Sequence, residues 1–421
     1  MITHYNIISR TALIICMIFA VNFSAHAQED ISDDEVVTDS LLTETLTTSQ
    51  HALPWTEQVR THINRLLESD MFRTSQVGIM VYDLDADSAI YTHNERQLMR
   101  PASTMKVITA ITAIDKLGGS YRFKTELCYT GDVSNGTLNG NVYCVGGFDP
   151  RFNIDDMRAF VEGIRKMGVD TIRGNIYADK TMKSADTLGS GWCWDDDNPI
   201  LSPLLISRRN VFVKRFVDEL REAGIVVEAT LGEARKPDDA YCIASRFHSI
   251  DQILMRMLKE SDNLYAESMF YQLAASTGNR HATAKDAATV IGRLISKVGL
   301  NPRRYQIADG SGLSLYNYVS AELEVKLLRY AFRNNNIYLH LHPALPEAGV
   351  DGTLRRRMRG TFTQGNVFAK TGTVKGISSL AGYCTAANGH HLAFAIINQG
   401  VMHHSNGRAF QDRVCTILCQ P

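Results

Sequence analysis

Hydrophobic and polar positions divide this chain into blocks of different texture. From Val77 to Tyr91 an apolar stretch, a polar turn at Asp83 to Ser88 and a short return stretch predict a β-hairpin. A helix is expected next: Pro101 suits a first helical turn, Val107 to Leu117 is apolar on nearly every side, and Gly118-Gly119 stops it. A helix without a polar face has to be buried, so this one belongs in a core. Between Ser120 and Tyr241 the texture changes to short alternating strands with Gly and Asn turns, as in Gly136 to Tyr143. Ile250 to Leu273 returns to helical periodicity, with a break expected at Ser261-Asp262-Asn263 that exposes the serine and the asparagine. Val367 to Asn398 reads as adjacent strands, closed by a helix from Ser405 to Leu418. The expected organisation is a main domain built from residues 51–119 and 242–421, with residues 120–241 inserted into it as a β-rich domain.

The start of the chain adds a compartment. Arg10 precedes an apolar stretch from Ala12 to Phe23, and Ala25-His26-Ala27 offers a small-x-small cleavage site, so residues 1–27 read as a secretory signal peptide. No later stretch approaches the roughly 18 apolar residues of a membrane helix. Export to the periplasm or cell envelope, with no transmembrane span after signal removal, is therefore expected. Residues 28–50 hold seven Asp or Glu and neither Lys nor Arg, the composition of a disordered acidic linker. The chain is 44% hydrophobic, enough to bury a sizeable core, and its net charge of −1 argues against nucleic acid as a partner. Losing Cys16 with the leader leaves seven of eight cysteines, so at least one thiol is free or pairs between chains. Cys128 and Cys144 are a candidate disulfide, and Cys415 and Cys419 sit at the helical spacing of ordinary buried thiols. Monomer and homodimer both stay open.

Three short motifs carry the chemistry: Ser103-Thr104-Met105-Lys106, Ser261-Asp262-Asn263 and Lys370-Thr371-Gly372. A single Ser-x-x-Lys arises by chance about once in a chain this long, but all three in this order do not. A serine hydroxyl is a poor nucleophile until a base takes its proton, and a lysine three residues on lies on the same helical face. Lys106 is that candidate base for Ser103, provided it is neutral, which burial and repulsion from a second cation such as Lys370 both favour. The start of the helix offers the Ser103 amide to an oxyanion, and a strand edge at Lys370 to Thr373 offers the Thr373 amide as a second donor while an extended peptide pairs alongside. Lys370 and Thr371 would meet a terminal carboxylate. Ser261 can pass a proton to the leaving amine and Asn263 can bind the substrate carbonyl. Nothing here calls for a metal or cofactor: His390-His391 and His403-His404 lack zinc-protease spacing and read as surface or packing residues. Arg355-Arg356-Arg357 with Arg359 reads as a solvated basic face, and Asp309 to Ser314 as a tight turn near the site.

With these motifs the chain resembles the class C low-molecular-mass penicillin-binding proteins, the D-alanyl-D-alanine carboxypeptidase and endopeptidase family S13. The resemblance extends through Pro101 to Lys106, Gly146 to Pro150, Gly191 to Asp196, Ser261 to Glu267, Asp309 to Ser314 and Gly349 to Leu354. It departs at Phe148, where a third glycine is common, and at Ala321, where a proline is usual. The fold it implies is α+β, a penicillin-binding or transpeptidase-like domain similar to the serine β-lactamases, whose antiparallel sheet is flanked by helices and interrupted by the insert. It implies Ser103, Lys106 and Ser261 as catalytic residues and Asn263, Lys370, Thr371, Gly372 and Thr373 as the substrate site. It implies peptidoglycan stem peptides as partners, acylation of Ser103 at the penultimate D-alanine, and β-lactams as covalent inhibitors. Two rivals share the scaffold. A class A β-lactamase needs a deacylating carboxylate downstream of Ser-Asp-Asn, and the only acids between Asn263 and Asp309 are Glu267 and Asp286. A non-catalytic wall-binding or penicillin-sensing protein would be free to lose its base, whereas Lys106 is retained.

Overall fold

The computed structural model describes residues 54–196 and 198–420; the expected signal peptide and acidic linker lie outside the described residues. The chain opens with α1 (Trp55–Leu67), the hairpin β1 (Gln76–Asp83) and β2 (Ser88–His93), and α2 (Met105–Leu117). There follow β3 (Arg122–Ser134), β4 (Thr137–Val145), α3 (Ile154–Lys166), β5 (Thr171–Asp179), α4 (Phe212–Glu222), β6 (Val226–Glu233) and β7 (Tyr241–Ser249). Helices α5 (Ile250–Lys259), α6 (Asn263–Ala275), α7 (Ala284–Lys297), α8 (Ala321–Phe332) and α9 (Asn335–Leu341) come next. The chain closes with β8 (Phe368–Val374), β9 (Ile377–Thr385), β10 (His391–Gln399) and α10 (His404–Cys419).

The first sheet has the order β2-β1-β10-β9-β8 and is antiparallel throughout. Alternate residues of a strand point to opposite faces, and here the two faces serve two cores. Ile79, Val81, Phe394 and Ile396 pack with residues of α1 and α10, while Met80, Ala393, Ala395 and Ile397 pack with α2 and α8. Because both faces are covered, β9 and β10 read as near-continuous apolar runs. The all-round apolar helix is α2: every residue from Met105 to Ile114 is buried, Lys106 included, among α5, α6, α7, α8 and α9. β8 is one edge strand of this sheet, and its outer backbone bonds to the Pro346 to Ala348 segment at its beginning.

The second sheet, β6-β5-β4-β3-β7, comprises residues 122–249. Its strands β4, β5 and β6 run parallel, and parallel neighbours need a crossover, here α3 and α4. Both helices bury an apolar stripe, Phe160 and Ile164 from one and Phe216 and Leu220 from the other, in a third core. The strand-and-turn texture of this region did not announce them. The disulfide joins Cys128 to Cys242, not to Cys144. The register explains the correction: Cys144 lies opposite Leu127 and so faces the core, whereas Cys128 faces the other side of β3, where Cys242 is its partner on β7. Cys144, Cys193, Cys384, Cys415 and Cys419 are free thiols.

Candidate active site

Ser103 lies in a short 3₁₀ turn, Ala102–Thr104, that runs straight into α2. Ala102, just before it, has φ +48°, a left-handed conformation that a residue with a β-carbon adopts only when its surroundings impose it. Two tight contacts impose it here. A β-carbon on Gly372 would lie 2.9 Å from the Ser103 amide nitrogen and 2.8 Å from the Pro101 oxygen, and one on Gly312 would lie 1.8 Å from the Ala102 oxygen. Glycine at both positions lets β8 and the 309–314 loop close on the serine from two sides.

Lys106 reaches Ser103 from one helical turn on. Its Nζ lies 2.9 Å from Ser103 Oγ, 2.7 Å from Asn263 Oδ1 and 2.9 Å from the Ser311 carbonyl oxygen. An amide oxygen and a carbonyl can only accept, so a neutral amine gives them its two N–H groups and keeps its lone pair for the serine proton. Burial lowers the Lys106 pKa to about 8, while Asp309, Glu267 and Asp262 oppose the fall. Lys370 is itself buried and donates to Ser261 Oγ at 2.9 Å and to the Thr371 carbonyl at 2.7 Å.

The Ser-Asp-Asn motif falls where α5 stops and α6 begins, so the anticipated break is real. Asp262 caps α6 by accepting from the amides of Leu264 at 3.0 Å and Tyr265 at 3.5 Å. That cap turns the chain through Ser261 at φ +57°, which presents Ser261 to Lys370 on one side and Asn263 to Lys106 on the other. Two hydrogen-bonded groups thus stand side by side on either side of Asp262: Lys106 with Ser103 and Asn263, and Lys370 with Ser261. Thr371 stands beside the second, donating to Thr353 Oγ1 at 2.8 Å, and Gly372 and Thr373 continue the same edge strand.

Side-chain chemistry alone did not reveal several supporting groups. Ser311 acts through its backbone carbonyl, which no composition can signal. Glu267 is buried in α6 and accepts from the amides of Gly310 at 3.1 Å and Ser311 at 2.8 Å, so it holds that carbonyl in place. Burial raises its pKa to about 8, with the hydrogen bonds from Ser311 and the charge of Lys106 opposing the rise. Asp309 ties the same loop to Gly312, Ser314 and Asn317 and accepts from Trp192 Nε1 at 2.9 Å. Their signal lay in the longer strings around each motif. Asp286 belongs to the capping box of α7 with Thr283. Arg357 is not solvated: it pairs with Asp412 at 2.6 Å. His390 and His391 pair with Asp83 and Asp85 at 2.7 and 3.1 Å, and hydrogen bonding to Asp83 raises the His390 pKa. Asp83, Asp85 and His390 are the one group of metal-ligand type among the described residues.

The fold is shared with solved penicillin-binding proteins. It superposes on the crystal structure of penicillin binding protein 4 (dacB) from Haemophilus influenzae with a TM-score of 0.77 at 24% identity, over 83% of this chain and 97% of that one. A predatory peptidoglycan endopeptidase from Bdellovibrio bacteriovorus matches with a TM-score of 0.51 at 18% identity, over 77% and 86%. This chain belongs to the D-Ala-D-Ala carboxypeptidase 3 (S13) family, whose profile matches residues 59–205 and 204–420. It is 27% identical to the D-alanyl-D-alanine carboxypeptidase of Actinomadura sp. strain R39, over 86% of this chain and 85% of the relative. It is 26% identical to D-alanyl-D-alanine carboxypeptidase DacB of Haemophilus influenzae, over 76% and 84%. Membership makes it an enzyme of the serine carboxypeptidase type. No helix among the described residues is long and apolar enough to cross a membrane.

Proposed function

We propose that this chain is an exported serine D,D-peptidase that acts on peptidoglycan stem peptides through an acyl-enzyme on Ser103. The observation that carries the reading is the contact set of Lys106, buried, with a pKa lowered to about 8, and 2.9 Å from Ser103 Oγ. In the first step the Lys106 amine takes the Ser103 proton while Oγ attacks the carbonyl carbon of the penultimate D-alanine. The amides of Ser103 and Thr373 bind the oxyanion. The substrate lies as an added strand along the open edge of β8, its backbone carbonyl on the Asn263 amide group. Ser261, held by Lys370, relays the proton from Lys106 to the departing amine, and the C–N bond breaks. The leaving amine is free D-alanine in a carboxypeptidase turnover and the cross-linking amine in an endopeptidase one. Water then releases the enzyme. The charge of Lys370 and the hydroxyl of Thr371 draw the terminal carboxylate to this end of the strand. β-Lactams enter by the same attack and leave Ser103 blocked. The leader-like first 27 residues support export.

The test is incubation of the purified protein with muropeptides, products resolved by mass, alongside fluorescent penicillin labelling followed by peptide mapping. Free D-alanine or split cross-links, with label on Ser103, are the expected results; label on another residue rejects the assignment. The acylation rate should rise with pH along a limb centred near 8, because only the neutral amine accepts a proton. A rate that is flat from pH 6 to 9 removes Lys106 as the base.

A further inference from the structure

The mechanism above leaves the inserted segment without a task, yet one turn of that segment touches the Ser-Asp-Asn motif. Between β5 and α4, Ile206 and Arg209 exchange two backbone hydrogen bonds, 3.0 Å in one direction and 2.9 Å in the other. They close a turn whose two central residues, Ser207 at φ +45° and Arg208 at φ +69°, are both left-handed. This is the backbone signature of a type I′ turn, which ordinarily takes Asn-Gly. A serine and an arginine sit there against their own preference, a cost that proteins concentrate at functional positions. The Ser207 amide donates to the Phe152 carbonyl at 2.9 Å and anchors the turn to the insert.

The turn delivers the Arg208 guanidinium to Asp262, with Nη1 2.5 Å from Oδ2. The same oxygen accepts from Arg256 Nε at 2.9 Å, and the Arg256 guanidinium lies 5.1 Å from the centre of the Tyr265 ring. The other oxygen caps α6. The Asp262 side chain is only 6% exposed, so this carboxylate is fixed at both ends, with Ser261 immediately before it and Asn263 immediately after.

We propose that Arg208 is a positioning residue for acyl transfer: a strained turn of the inserted segment holds its guanidinium on Asp262 and thereby sets Ser261 and Asn263 against Lys370 and Lys106. This rests on the acyl-enzyme reading above. It also carries an electrostatic consequence. The carboxylates that act on Lys106 are Asp262 from the α5–α6 turn, Glu267 from α6 and Asp309 from the 309–314 loop, while Lys370 of β8 faces Ser261. Asp262 favours the proton on Lys106, and the two guanidiniums that flank it offset part of that pull. Without Arg208 it holds that proton more firmly, and the base form appears only at higher pH.

The experiment measures the rate of fluorescent penicillin attachment against pH for the full chain, Arg208→Gln and Arg208→Lys, with thermal unfolding in parallel. Arg208→Gln should acylate roughly ten-fold more slowly at pH 7, with its limb displaced upward by about half a pH unit. Its thermal midpoint should stay near that of the parent, because an ion pair with one exposed partner contributes little to stability. Arg208→Lys should return the limb to its original position, since the charge is kept, yet remain slower, since the planar fork is lost. Parental rates at every pH for Arg208→Gln overturn the proposal, and so does a rate loss that merely follows loss of folded protein without moving the limb. If Arg208→Gln does not fold, an Arg208→Lys indistinguishable from the parent overturns it alone. A parent chain that takes no label at all defeats the acyl-enzyme reading instead, so the two failures are distinct.

Discussion

The two five-stranded sheets of this molecule are covered to different extents, the inner strands of the first buried on both faces and the edge strands of the second fully buried on neither. In the first, every residue of β9 from Ile377 to Cys384 and of β10 from Leu392 to Asn398 is buried, clamped between α2 and α8 on one face and α1 and α10 on the other. In the second, no residue of β6 or β7 is buried. The difference follows from what each sheet must hold still. β8 carries Lys370 within 2.9 Å of Ser261 and runs its Gly372 against the Ser103 amide, so a slip of one ångström there dissolves the site. The insert needs only enough core to fold, and it reaches the site region through local contacts, among them Trp192 on Asp309, Ser190 on Ser314, Phe148 on Ser268 and Arg208 on Asp262. Damage to the first sheet should therefore appear in chemistry, and damage to the second in stability alone, outside those contacts.

The sharpest way to test this contrast is at the nucleophile. Ser103→Ala should abolish both penicillin labelling and D-alanine release, and Lys106→Ala should slow acylation by roughly 10³-fold while the protein stays folded. Residual labelling of Ser103→Ala would place the reacting hydroxyl elsewhere. Next in size is Gly372→Ala. Its new β-carbon would lie 2.1 Å from Ser379 Oγ and 2.9 Å from the Ser103 amide nitrogen, so β8 must move off the serine. Acylation should fall about 100-fold with a modest change in thermal midpoint. A variant as fast as the parent would show that β8 does not govern the oxyanion site.

On the insert side the largest expected effect is thermodynamic. The Cys128–Cys242 disulfide links residues 114 apart, and removing such a constraint from the unfolded chain costs about 3–5 kcal/mol in the chain-entropy account. Replacing both cysteines by alanine should lower the thermal midpoint by several degrees, yet leave the acylation rate of the folded fraction at 25 °C within about two-fold of the parent. A ten-fold slower rate in fully folded protein would mean that the second sheet helps to set the site, against the contrast drawn here.

What could be read from residues alone follows the same division. The all-apolar helix, the break at Ser261-Asp262-Asn263 and the KTG strand were legible because each depends on local periodicity or on side chains with distinctive chemistry. The Ser311 carbonyl was not, because a backbone acceptor has no residue signature and its placement depends on Glu267, 44 residues away, accepting from its amide. The burial that lowers the Lys106 pKa was legible in the all-round apolar helix, whereas the opposing carboxylates Asp309, Glu267 and Asp262 are brought to it only by the fold. The disulfide was misread because spacing along the chain does not report which face of β3 a cysteine occupies. α3 and α4 were masked by the Gly- and Asn-rich turns on either side of them, although Asn153 and Asp156 form a capping box that marks the start of α3.

The smallest expected effect lies on the open edge of the insert. Leu231 of β6 is 51% exposed, on a strand that pairs with β5 on one side only. A half-exposed leucine on an edge strand contributes little burial, and threonine supplies a β-branched shape that strands accept. Leu231→Thr should therefore change stability by less than about 0.5 kcal/mol and leave acylation and its pH limb untouched. Set beside Gly372→Ala, where one added methyl group disables an enzyme, it brackets the contrast from its quiet end. If Leu231→Thr slowed acylation while unfolding at the parental temperature, the edge of the second sheet would be in contact with substrate, and the insert would belong to the binding site itself.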